Sequence, residues 1–205
     1  MAAEMKDSMQ KGTTVRVINI DKAEVLNRLK HLKAKAHPRY ISKSVTFEVS
    51  AGNTDYLNES EKKRSMWMKI SEDNGRTIIV LRHVPSSKQM PKKHTINASD
   101  FLTAVRISKL ILHGIDYSYL EIKREPYSAD GCIITIVERP CLKPEVEINS
   151  LTKAMAMKMY RKLGIKGEIG LGVNVPESVY YKLMGFDFEM VKNHYNKKLD
   201  RLLNE

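Results

Sequence analysis

Two periodicities divide the chain. Polar and apolar residues alternate through TTVRVINI (13–20) and ISKSVTFEVS (41–50), the two-residue repeat of half-buried strands. Between them Val25, Leu29 and Leu32 recur at helical spacing, with Asp21 in the N-cap position and Glu24 three residues on. SMWMKIS (65–71) and RTIIVLRHV (76–84) flank EDNG, and an Asn-Gly pair between β-rich runs predicts a hairpin. A second hairpin is predicted for DYSYLEIKREPY (116–127), the turn SADG and CIITIVER (132–139), and EVEIN (145–149) adds another strand. PSSKQMPKKH (85–94) reads as a loop. It leads to a helix, SDFLTAVRISKLILHG, with Ser99 as its cap and Gly114 as its terminator. SLTKAMAMKMYRKLGI predicts a helix ending at Gly164, KGEIGLG a loop, and PESVYYKLMGF a short helix with Pro176 in its first turn. The last segment sets Phe188, Val191, Tyr195, Leu199 and Leu202 on one stripe. The order predicts an α+β fold around one antiparallel sheet, a single domain over 12–205 after a flexible segment 1–11.

Several strands carry charge where a core-facing sheet would carry apolar residues. Arg16 shares a face with Thr14, and Lys69 with Trp67 and Ser71. Arg82 closes IIVLR, Arg124 sits in EIKRE, and Glu145, Glu147 and Asn149 alternate on one side of their strand. Such residues either face solvent or line a polar lumen, and a basic lumen suits an anionic ligand. The balance of charge bears on both readings. Thirty-five Lys and Arg against 24 Asp and Glu give +11, a balance that attracts polyanions. Clusters lie at KHLKAK (30–35), EKKRS (61–65), QMPKKH (89–94) and NKKLDR (196–201), each readable as a solvated face or as a contact for a polyanion. No zinc-finger, RNP or basic-zipper pattern accompanies them, so a nucleic-acid partner rests on charge alone.

Other features narrow the setting. Cys132 and Cys141 have neither pairing nor metal spacing and read as reduced thiols. No apolar run approaches membrane-spanning length, and MAAEMKDSMQKGTT has no apolar signal core, so the expected location is the cytoplasm, with no membrane partner. His37, His83 and His94 lack partners at metal-site spacing, and Met155, Met157 and Met159 read as core packing.

The ordered set of segments resembles the CYTH superfamily, the triphosphate tunnel metalloenzymes, over about residues 12–190. VRVINIDKAEVLNRLKHLKAKA is similar to the family's first strand and helix, and WMKISEDNGRTIIVLR to its W-I-R-L-R hairpin. EIKREPYSADGCIITIVERPCLKPEVEINS is similar to the K-R-x-x-Y hairpin, the proline connection and the closing E-I-E strand. The resemblance implies a closed antiparallel barrel of about eight strands with flanking helices, its tunnel holding a triphosphate. By position, Arg16, Lys69, Arg82, Lys123 and Arg124 are the implied phosphate contacts; arginine suits this role through its bidentate fork. The family's enzymes hold Mg²⁺ or Mn²⁺ on carboxylates. Here the two glutamates of E-x-E-x-K fall on Gly12 and Thr14, the expected aspartate on Val137, the hairpin's second arginine on Ser71, and the second acid of E-I-E on Asn149. Glu145 and Glu147 remain as metal candidates, with Glu147 as the catalytic candidate; Glu121 is a further candidate, and Glu48 is the only acid in the early strand ISKSVTFEVS.

An eroded acidic half beside a persistent basic half favours binding of a nucleotide or polyphosphate, with weak or no catalysis, in a sequestering or sensing role. The alternative is a metal-dependent triphosphatase or nucleotidyl cyclase. A nucleic-acid-binding module that uses the basic exterior is the third reading.

Overall fold

The structure, a computed structural model, describes residues 12–50, 65–83, 92–170 and 177–205. In chain order the elements are β1 (Thr13–Ile18), α1 (Lys22–His31), β2 (Lys35–Ala36), β3 (Tyr40–Ser50), β4 (Ser65–Asp73), β5 (Arg76–His83), β6 (Lys92–Ala98) and α2 (Phe101–Ile111). They continue as β7 (Tyr117–Ala129), β8 (Cys132–Glu138), β9 (Glu145–Ser150), α3 (Lys153–Leu163), β10 (Glu168–Ile169), α4 (Glu177–Leu183) and α5 (Phe188–Asn204). Hydrogen bonding orders the strands β10-β1-β9-β8-β7-β3-β4-β5-β6, with β2 on β7. The class is α+β with a large antiparallel sheet. Among the described residues the path ends at β10 and β6, without a hydrogen-bonded closure into the expected barrel. No helix among them is long and apolar enough to cross a membrane. The N-terminal segment 1–11, the loop 85–91 and Pro176 lie outside the described residues.

The chain divides into two compact units, the first made of residues 1–40 and 122–188 and the second of 41–121 and 189–205. In the first, strict alternation sends Val15, Val17, Ile134, Ile136, Val146 and Ile148 to one sheet face. Val25 and Leu29 of α1 and Ala156, Met159 and Leu163 of α3 cover that face. Met159 is buried in this core and Met157 packs against it. Asp21 caps α1 as its sequence predicts, accepting from the Ala23 and Glu24 amides. The helix stops at His31, because Lys33 adopts a left-handed conformation and Lys35–Ala36 pair with β7. Thr152 and a left-handed Gly164 cap α3. Part of KGEIGLG is not loop: β10 pairs with β1 through Val17↔Ile169 and Ile18↔Glu168. Gly167 permits that approach, since a Cβ there would lie 2.7 Å from Val17 Cγ1.

The second unit packs Val45, Phe47 and Ile70 against Phe101 and Val105 of α2, Tyr119 of β7 and Leu199 of α5. Asp100, not Ser99, caps α2: its carboxylate accepts from the Thr103 amide at 2.6 Å. The helix ends at Ile111, ahead of Gly114. β6 occupies the end of the segment read as a loop and has only one large apolar residue, Ile96; its pairing with β5 makes it a strand. Both predicted hairpins form. Asn74–Gly75 and Asp130–Gly131 each take positive φ at both central positions, the type I′ geometry.

Candidate functional site

The face of the first unit's sheet opposite its core carries the polar residues. β1 and β9 pair antiparallel with Thr14↔Asn149 and Arg16↔Glu147 directly opposite, so these four side chains share that face. The same pleat places Glu145 two residues along. Val137 and Thr135 of β8 lie opposite Glu145 and Glu147, and Arg124 of β7 lies opposite Val137. The Thr14 hydroxyl donates to Asn149 Oδ1. At two positions where the resemblance implies acids, Thr14 and Asn149 form a neutral hydrogen-bonded pair.

Three arginines converge on two glutamates. Arg16 Nη2 donates to Glu147 Oε1 at 3.3 Å, and its Nε lies 3.4 Å from Glu145 Oε1. Arg124 Nη1 donates to Glu147 Oε2 at 2.9 Å. Arg139, one residue past β8, donates to Glu145 Oε1 and approaches Glu147 Oε1 at 3.8 Å. α4 closes the group from above the sheet in sequence-distant fashion. Tyr180 donates its hydroxyl to Glu145 Oε2, and Glu177 Oε2 accepts from Arg139 Nε at 3.4 Å. The Tyr180 ring lies 4.8 Å from the Arg16 guanidinium and 5.2 Å from that of Arg139, within cation–π range of both.

Burial governs the electrostatics. Arg16, Arg139, Glu145 and Glu147 are all buried, a placement that is tolerable only because each charge meets an opposite one. Burial pushes the Glu147 carboxyl up, but Arg124, Arg139 and Arg16 outweigh it and hold the group down at about 2. Burial also works against the Arg139 cation; Glu177, Glu145 and Glu147 overcome that and raise its pKa. Burial and the bond to Glu145 raise that of Tyr180, so the phenol stays protonated.

Of the five implied phosphate contacts, Arg16 and Arg124 meet in this cluster. Lys123 does not join them; it is exposed, paired with Glu138 in register and turned opposite to Arg124 by the pleat. On that reverse side Glu125 accepts from Tyr127 at 2.6 Å and Arg39 at 2.6 Å, with Lys22 Nζ at 3.1 Å. Lys69 and Arg82 belong to the second unit. Lys69 stands opposite Thr46 and Val80, and Arg82 opposite Trp67 and Lys93. Glu121, also there, accepts from Tyr119 and Lys198 at 2.6 Å each.

Glu145 and Glu147 stand together, as a metal pair requires, yet their oxygens are already taken by guanidinium and phenol donors. Among the described residues no three of His, Cys, Asp or Glu group closely enough to hold a metal. The residues present therefore do not fit a metal held by protein ligands alone.

Arg139, Tyr180 and Glu177 were not anticipated. Arg139 was readable in principle, since Thr135, Val137 and Arg139 continue one face of β8. Tyr180 and Glu177 come from a helix whose sequence has no local signal of what it packs against.

No family model and no curated protein sequence matches the chain. Solved structures do. A conserved protein from Pyrococcus furiosus matches with a TM-score of 0.54 at 15% identity, covering 78% of this chain and 96% of that one. A candidate adenylate cyclase from Vibrio parahaemolyticus matches with a TM-score of 0.51 at 10% identity, covering 78% and 94%. The chain shares their fold. A candidate adenylyl cyclase from Hippeastrum, described as having a dominant triphosphatase activity, matches with a TM-score of 0.50 at 10% identity, covering 83% and 95%.

Proposed function

We propose that the chain binds a phosphorylated small molecule, a nucleotide or polyphosphate, in a basic β-tunnel of the kind the resemblance implies, with weak or no catalysis. The observation that carries this reading is the convergence of Arg16, Arg124 and Arg139 on one sheet face, where each guanidinium already holds a carboxylate oxygen. Two oxygens of a phosphate group meet the guanidinium fork in the same bidentate way, with more charge. An incoming phosphate group thus exchanges for Glu147 as the partner of Arg124, whose side chain is the most exposed of the three. Turnover is disfavoured because phosphoryl transfer depends on neutralised charge and a placed nucleophile. The acids that would supply a metal are instead locked to arginine. Mg²⁺ or Mn²⁺ arriving on the ligand's own phosphates is compatible with binding and not required for it.

The second reading, a metal-dependent triphosphatase or cyclase, is favoured by the activity described for the Hippeastrum neighbour and by the retention of Glu147. Calorimetric titration of tripolyphosphate into the wild type and Arg124→Ala tests the first reading. The wild type binds without added metal and the variant at least tenfold more weakly, a step of about 1.4 kcal/mol. Equal affinities place the phosphates elsewhere.

A further inference from the structure

The C-terminal ends of α1 and α3 lie side by side in the first unit and present a basic surface far from neutral. A Cβ added at Gly164, the cap of α3, would sit 4.0 Å from Arg28 Cζ on α1. Lys33 and Lys35 follow α1 directly. Lys35 pairs with Ser128, two residues before Asp130, whose carboxylate accepts from Lys162 of α3 at 2.5 Å. Around this junction Lys30, Lys33, Lys35, Arg161 and Lys166 are exposed, and none of them makes an ion pair among the described residues. Two helix C-termini favour nearby cations, but each end carries only about half an elementary charge. Five unpaired cations exceed what the helix ends call for.

We propose that this surface docks the phosphate backbone of duplex nucleic acid without reading its sequence. The chemistry of the patch selects the partner. Single-strand binding relies on exposed aromatic platforms; here the tyrosine of α3, Tyr160, is half-buried and donates its hydroxyl to Gly167 O at 3.0 Å. Membrane-surface helices insert an apolar face, whereas α1 and α3 turn theirs into the core. What remains is a cluster of lysine and arginine suited to phosphodiesters spaced along a rod. This surface is separate from the arginine face of the sheet, and the inference holds whether or not that face binds nucleotides.

The test is fluorescence anisotropy with a labelled duplex of about 20 base pairs, titrated with full-length protein between about 50 and 200 mM salt. The wild type binds with a log–log salt slope of about −4 to −5, five phosphate contacts at about −0.9 each. K35E/R161E, confirmed folded by its thermal melt, loses at least about tenfold in affinity and flattens the slope by about two. K197E/R201E on α5 makes the same change in net charge and alters affinity by no more than about twofold. Three results overturn the proposal: no duplex binding at low salt, equal losses in the two variants, or stronger binding to single strands or phosphatidylserine vesicles than to the duplex.

Discussion

Arg124 and Glu147 do not sit on neighbouring strands. Their 2.9 Å ion pair reaches from β7 to β9 over β8, passing above Val137 and Thr135. The span is possible because the two β8 residues beneath it are short, and it holds an arginine fork over the sheet with Glu147 as its occupant.

Removing that occupant's charge distinguishes binding from turnover. Glu147→Gln removes the carboxylate that Arg124 and Arg16 share, leaving Glu145 beside Arg16, so tripolyphosphate binds about tenfold more tightly, a gain of about 1.4 kcal/mol. A metal-dependent enzyme responds oppositely, losing activity and metal-assisted affinity. Calorimetry with and without Mg²⁺ separates the two.

Arg16 carries more structural weight than Arg124. It is 5% exposed and faces both Glu145 and Glu147. Arg16→Ala strands buried carboxylates and costs about 3–5 kcal/mol. In the Glu147→Gln background the cost shrinks, because less charge is left unpaired. Urea unfolding of the two single variants and the double variant measures the coupling; additive losses mean that Arg16 and Glu147 do not act as a pair.

Glu147 also links stability to pH. Its folded value of about 2 lies below the ordinary 4.5. Its contribution is therefore fully present above about pH 4.5 and is lost as pH falls toward 2, for a total of about 3 kcal/mol. Denaturant midpoints measured from about pH 6 down to about pH 2 fall more steeply for the wild type than for Glu147→Gln. Parallel curves contradict the assignment.

The sequence carried the fold further than the site. Asn-Gly and Asp-Gly fixed two hairpins because only a few residues accept positive φ twice in succession. Alternation groups Arg16 with Thr14 on one strand and Glu145 with Glu147 and Asn149 on another; only the β1–β9 register joins the two sets on one face. β6 was illegible, because KKHTINA has no alternation strong enough to outweigh its lysines and its strand character comes from β5. Tyr180 and Glu177 were illegible for a related reason: what they touch is set by chain packing across more than 30 residues of sequence.

The cap of α2 shows the limit of motif reading at one-residue resolution. Ser99 and Asp100 are both good caps, and only backbone geometry chooses between them. Asp100→Ala costs about 1 kcal/mol and Ser99→Ala under about 0.5 kcal/mol, read from thermal melts. The reverse order would move the cap to Ser99.

The most direct test of the central claim is phosphorus NMR of ATP and of tripolyphosphate with near-stoichiometric protein, with and without Mg²⁺. The account predicts lines that shift or broaden and do not convert in either condition. New orthophosphate, pyrophosphate or cyclic-nucleotide lines would contradict it, as would spectra left unchanged by the protein.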